Sequence, residues 1–178
     1  MKKNLKAFGS IINFRQILIG LSVLIFGIMV YVIDRPPDQT YFVNRSPFNI
    51  SLFKTLPKLF SHIGNSLPSF IHVFSFILIS ASLISCRKKG YLITCISWFL
   101  IDCAFEFEQK FNPLVLKIIP DWFSGVPFLE NTRNYFFQGT FDVLDLAAVL
   151  IGSITGYYVL IVTMKKGKYN EEKNRWNN

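Results

Sequence analysis

Apolar residues fall into four long runs parted by polar, proline-bearing stretches. Gln16–Ile33 carries no charge, and Leu67–Ser85 is interrupted only by Pro68 and His72. Tyr91–Phe107 carries Asp102 and Glu106 near its end, and Thr140–Met164 carries Asp142 and Asp145 near its start. A helix that crosses a bilayer needs about 20 apolar residues, with a range of roughly 17 to 25. The pattern therefore predicts an all-α chain, a polytopic transmembrane four-helix bundle built as one membrane domain over residues 1–178. The helices are expected at about 16–33, 67–85, 91–107 and 140–164, and the extracytoplasmic segments at 34–66 and 108–139. The first run leaves through Tyr31-Val32-Ile33-Asp34-Arg35-Pro36 with no small-residue cleavage pattern, so an uncleaved anchor helix is expected there.

Composition narrows the class. Charged residues make up 17% of the 178 positions and hydrophobic ones 51%, whereas soluble domains carry about 25% charge. That excludes a disordered chain, a disulfide-stapled module and an ordinary cytosolic globule. Cys86, Cys95 and Cys103 are odd in number and lack metal or disulfide spacing, which reads as buried free thiols.

The formal net charge of +8 is unevenly placed. With both termini cytoplasmic, residues 1–15, 86–90 and 165–178 hold 12 Lys and Arg in 34 positions, against 7 in the 65 outer positions. That is the bias of the positive-inside rule, and it points to a multi-pass membrane protein with both termini cytoplasmic. Apart from Glu171 and Glu172, all the acids lie outside or in helices that meet the outside. The basic tail suits anionic lipid, and nothing else supports a nucleic-acid partner. The outer stretches Phe48–Ile63 and Leu114–Phe128 mix aromatics, aliphatics, Lys and Pro. They read either as interfacial segments or as lids on the helix ends. Asn44 and Asn49 each open a glycosylation-type tripeptide, a weak signal.

Candidate chemistry lies at one depth. A charge at mid-bilayer costs about 2.5–3.5 kcal/mol even on the lenient insertion scale, so such groups need partners or water. Entering from the cytoplasm at Tyr91, the third helix carries Asp102 roughly 17 Å in and Glu106 roughly 22 Å in. Those two share a face that Gln109 continues. His72 lies about 8 Å below the outer surface, and Asp145 is about one turn deeper than Asp142. A turn over Cys86–Gly90 makes the second and third helices antiparallel neighbours. His72, Asp102, Glu106, Gln109, Asp142 and Asp145 are thus expected to converge in the outer half. Ala148, Gly152 and Gly156 form a small-residue stripe for close helix packing, also available to a homodimer. Two accounts of the cluster stand: a hydrogen-bonded packing device, and an outward-facing pocket. Asp102 and Glu106, crowded in low dielectric, should not both ionise easily, which would suit a proton relay or a general acid.

No phosphate-cradling Gly-rich loop, G-x-S-x-G or H-E-x-x-H is present. Two histidines, His62 and His72, make a poor zinc set, so no metal and no cofactor are expected. Three motifs together resemble the VanZ-like family of small bacterial membrane proteins. Leu67-Pro-Ser-Phe-Ile-His72 is similar to that family's D-K-x-x-H segment, with Pro68 and Ser69 in the Asp and Lys places. Glu106-Phe-Glu-Gln109 matches E-x-x-Q, and Gly139-Thr-Phe-Asp142-Val-Leu-Asp145 resembles the acidic entry to a last helix with Gly152 and Gly156. Val149 stands where an Asn is usual. The resemblance implies an association with low-level resistance to glycopeptide antibiotics, but names no reaction. Three functions follow from these readings: binding of a lipid-linked or amphipathic envelope molecule, acid/base catalysis on lipid headgroups, and proton-coupled transport. The first is preferred, with membrane lipids as partners.

Overall fold

Each apolar run winds into one helix. A computed structural model describes residues 12–37, 51–60, 63–84, 88–111, 117–127, 129–130, 132–133 and 140–164. Helix α1 spans Phe14–Asp34, α2 Ile63–Ile84, α3 Lys88–Lys110 and α4 Val143–Val162. All four are long and apolar enough to cross a membrane. Among the described residues there is no strand, and a 3₁₀ turn covers Asp121–Gly125. The basic stretches 1–11 and 165–178, Cys86, Asn44, Asn49, His62 and Gly139 lie outside the described residues.

Helix ends depart from the hydropathy boundaries in ways that capping and charge explain. α2 starts at Ile63, ahead of the expected Leu67, so Gly64, Asn65 and Ser66 are helical and Pro68 sits in an early turn. Pro68 is the sixth residue, past the first turn, so the helix runs through it without the N–H that would otherwise bond the Gly64 carbonyl. α3 runs from Lys88 to Lys110, so Lys88–Gly90 belong to the helix and not to the turn. Hydropathy stops at charges, whereas long Lys side chains can extend from helix ends into water. α4 begins at Val143, not Thr140, because Asp142 is its N-cap and accepts from Leu144 N at 2.9 Å.

α2 is the hub, packing against each of the other three helices, while α3 also packs on α4. The contact register shows their directions. Gly27 meets Ile71 and Gly20 meets Ser75 and Ile79, so α1 and α2 are antiparallel. Gly152 meets Phe70 and Val73, and Gly156 meets Ile77, so α2 and α4 run parallel. A Cβ on Gly27 would come within 2.7 Å of Ile71 Cγ2, and one on Gly152 within 2.5 Å of Val73 Cγ1 and 2.9 Å of the Phe70 carbonyl oxygen. In hydrocarbon, apolar burial gives helices little reason to associate, so close backbone approach through small residues matters most. Gly152 and Gly156 are thereby covered within one chain. The neighbour of this stripe within the chain is α2.

Val73, Ile77, Leu78, Val149 and Leu160 form the centre of the core. The opposite faces are apolar as well. Phe14, Leu18, Leu21, Ile25 and Ile28 line the outer side of α1, and Ile93, Ile96 and Leu100 that of α3. Helices that are apolar all round belong in the interior of a large protein or in a membrane.

Candidate functional site

The inward stripe of α3 is Tyr91, Cys95, Asp102 and Glu106, with Trp98 partly buried between them. Spacings of three and four keep these side chains on one face, so the same periodicity that buries the aromatic part of the stripe turns both carboxyls inward. Asp102 is buried and meets His72 of α2, with both carboxylate oxygens 3.2 Å from Nδ1. The imidazole lies against Phe76 (centroids 4.4 Å apart) and the edge of Trp98 (6.1 Å), while Trp98 Nε1 donates to Ser80 Oγ at 3.0 Å. His72 itself remains 46% exposed. A buried carboxylate therefore holds one ring nitrogen and orients an imidazole that is open on its other side.

Glu106, one turn along α3 from Asp102, is 8% exposed. It lies within electrostatic reach of Asp145, Asp102 and Asp142. Asp145 in the first turn of α4 faces the hydroxyls of Ser66 and Ser69 on α2, and is within reach of Asp142 and of Arg35 at the end of α1. Glu106 Oε2, Asp145 Oδ1 and Ser66 Oγ are nevertheless buried without a hydrogen-bond partner. The Ser66–Asp145 relation is thus proximity and not a formed bond. Arg35 donates from Nη2 to Asn65 O at 2.9 Å, and its guanidinium lies 5.0 Å from the Tyr31 ring centroid. All four helices contribute to this end of the molecule.

The expected residues come together unevenly. Asp102, Glu106, Asp142 and Asp145 share one end. Among the described acids His72 pairs with Asp102, and Asp142 is committed to capping α4. Gln109 continues the α3 stripe and is partly buried, as is Ala148 on α4. Arg35, Tyr31, Ser66 and Ser69 were missed. Arg35 had a readable signal, a cation just past the uncharged run Gln16–Ile33 and before Pro36-Pro37. The serines carried none. Among the described residues, no three His, Cys, Asp or Glu side chains are placed to hold a metal ion.

Residues 51–60, between α1 and α2, dock on the same end of α1. Asp34 accepts from Leu59 N at 2.9 Å and Phe60 N at 2.8 Å, Leu52 N donates to Val32 O at 2.9 Å, and Phe60 meets Phe26 edge-on. Leu52, Leu56 and Leu59 stay exposed, so this strip is a packed lid with an apolar outer edge. Between α3 and α4, Ile118 and Trp122 are exposed and Arg133 pairs with Asp121.

At the opposite end, Gln16 of α1 is fully buried. Its Nε2 donates to Thr163 Oγ1 at 3.0 Å, Leu160 O at 3.3 Å and Tyr91 OH at 3.4 Å, and Asn13 Nδ2 donates to Thr163 O at 3.0 Å. This neutral knot lies among long uncharged runs and was not anticipated. No family model, curated protein or solved structure matches the chain.

Proposed function

We propose that the chain is a VanZ-like integral protein of a bacterial cytoplasmic membrane, a four-helix bundle with both termini cytoplasmic, and that its acidic end binds a lipid-linked or amphipathic envelope molecule from the outer leaflet. One observation carries the reading: Asp102, Glu106 and Asp145 are gathered between helices whose outer faces are apolar, with Glu106 buried and lacking a partner at Oε2. Polar groups at such a depth ordinarily serve a pathway or a ligand. In the sequence, basic residues flank the start of α1, the start of α3 and the end of α4, as expected if the acidic end faces outward. The motif resemblance adds a cell-surface setting and a link to glycopeptide resistance.

Lipid extraction from the purified full chain tests this. An amphipathic molecule near one per chain, lost on Glu106→Gln, is the expected result. No bound molecule, or one that survives the substitution, would refute the reading.

The His72–Asp102 pair favours one second reading, acid/base catalysis on a headgroup, because a carboxylate-oriented imidazole is a suitable general base. Envelope lipid profiles that differ between cells with wild-type protein and cells with His72→Gln would support it. Identical profiles would remove it.

A further inference from the structure

We infer that the group held at the acidic end is a primary ammonium on a phospholipid headgroup, with Glu106 as its chief acceptor. This deepens the binding reading above and rests on it.

The argument is one of elimination among the four carboxyls. Asp102 is engaged by His72, and Asp142 by the Leu144 N–H. Glu106 and Asp145 remain, and each has a buried oxygen with no partner. Glu106 is more than nine-tenths buried and lies within electrostatic reach of the other three acids. An orphan acceptor calls for an N–H or O–H donor. Among the described residues, four acids gather there beside the guanidinium of Arg35, a surplus of negative groups that calls for a cation. A protonated amine meets both needs, and among common phospholipid headgroups the ethanolamine type carries one. A quaternary ammonium has the charge but no N–H, and a glycerol headgroup has donors but no charge. Arg35 stands beside Asp145, so the same end also offers a guanidinium, a group that recognises phosphate well. The apolar outer faces of α1 and α3 leave acyl chains in contact with the protein.

Native mass spectrometry of the full chain, exchanged into detergent with phosphatidylethanolamine, phosphatidylcholine or phosphatidylglycerol of identical acyl chains, provides the test. Wild type should retain the ethanolamine lipid about tenfold over either other lipid, the scale of one charge-assisted hydrogen bond. Glu106→Gln should reduce its retention to the choline level. The three-lipid comparison on wild type needs no variant, so poor folding of Glu106→Gln cannot leave the idea undecided. Equal retention of all three lipids would overturn it. If another amphiphile still depended on Glu106, the binding reading would survive that failure; if none did, both would fall. Free phosphoethanolamine binding as tightly as the lipid would overturn the lipid assignment.

Discussion

At the end where α1 begins, Gln16, Asn13, Tyr91 and Thr163 form a buried knot of neutral groups bonded to one another and to helix carbonyls. At the end where α1 finishes, Asp102, Glu106, Asp142 and Asp145 crowd together around Arg35 and His72. Both ends join α1 to α4 or its neighbours, and each keeps an unsatisfied oxygen, Gln16 Oε1 at one and Glu106 Oε2 at the other. They differ in charge. An orphan amide oxygen costs a modest desolvation, whereas carboxyls crowded in low dielectric are costly unless something compensates them. A fold needing only to tie helix ends together has the cheaper solution in hand at Gln16. Retaining the expensive one at the other end is what binding would require.

The largest effect concerns which end faces outward. In a background without the native cysteines, a membrane-impermeant maleimide on intact cells should label Leu59→Cys beside the acidic end. It should not label Lys89→Cys beside the neutral end until the cells are permeabilised. Both positions are exposed, so the contrast should be close to all-or-none. The reverse pattern would invert the comparison and place the acidic end in the cytoplasm.

The next effect falls on the wall that both ends share. In Gly152→Leu the new Cβ would stand 2.5 Å from Val73 Cγ1 and 2.9 Å from the Phe70 carbonyl oxygen. A backbone oxygen cannot swing aside, so a loss of about 3 kcal/mol or more is expected, at the upper end for overpacking. Thermal denaturation in detergent reads it. An unchanged melting temperature would mean that α2 and α4 do not meet at Gly152.

How much of this contrast could be read in the sequence follows from what each signal depends on. The four helices show in hydropathy, because composition over a run of 20 residues suffices. The shared face of Asp102 and Glu106 shows in their spacing, which is local. The hub role of α2 does not show, since it depends on Gly20 and Gly27 of α1 meeting α2 from one side and Gly152 from another. Gln16 looks like a polar residue at the edge of an apolar run until Thr163, 147 positions away, supplies its partner. Ser66 and Ser69 are ordinary until α4 brings Asp145 to them. The helix starts at Ile63 and Val143 depend on a tolerated proline and an Asp cap, which a hydropathy count does not register.

Gln16→Ala probes the neutral end. It removes a fully buried side chain and three hydrogen-bond contacts, and should cost about 2–3 kcal/mol from the lost bonds and the cavity left behind. Retention of the bound amphiphile should not change. A variant that kept full stability but lost the ligand would show that the knot, too, serves binding.

Glu106→Gln should have the smallest effect on stability and is the sharpest test of the contrast. The substitution is nearly isosteric. It removes a carboxyl that has no partner at Oε2 and lies within reach of three other acids. Gln16 ties α1 to Leu160 and Thr163 by hydrogen bonds, whereas Glu106 Oε2 makes none. The variant should therefore unfold within about 1 kcal/mol of wild type, and relief of like-charge crowding could make it the more stable of the two. Residues kept for a ligand at some expense to the fold show this pattern, stability held or gained while function is lost. Denaturation of the two proteins side by side, after delipidation, makes the measurement. A loss above about 2 kcal/mol would make Glu106 a structural group like Gln16, and the two ends would then be doing the same work.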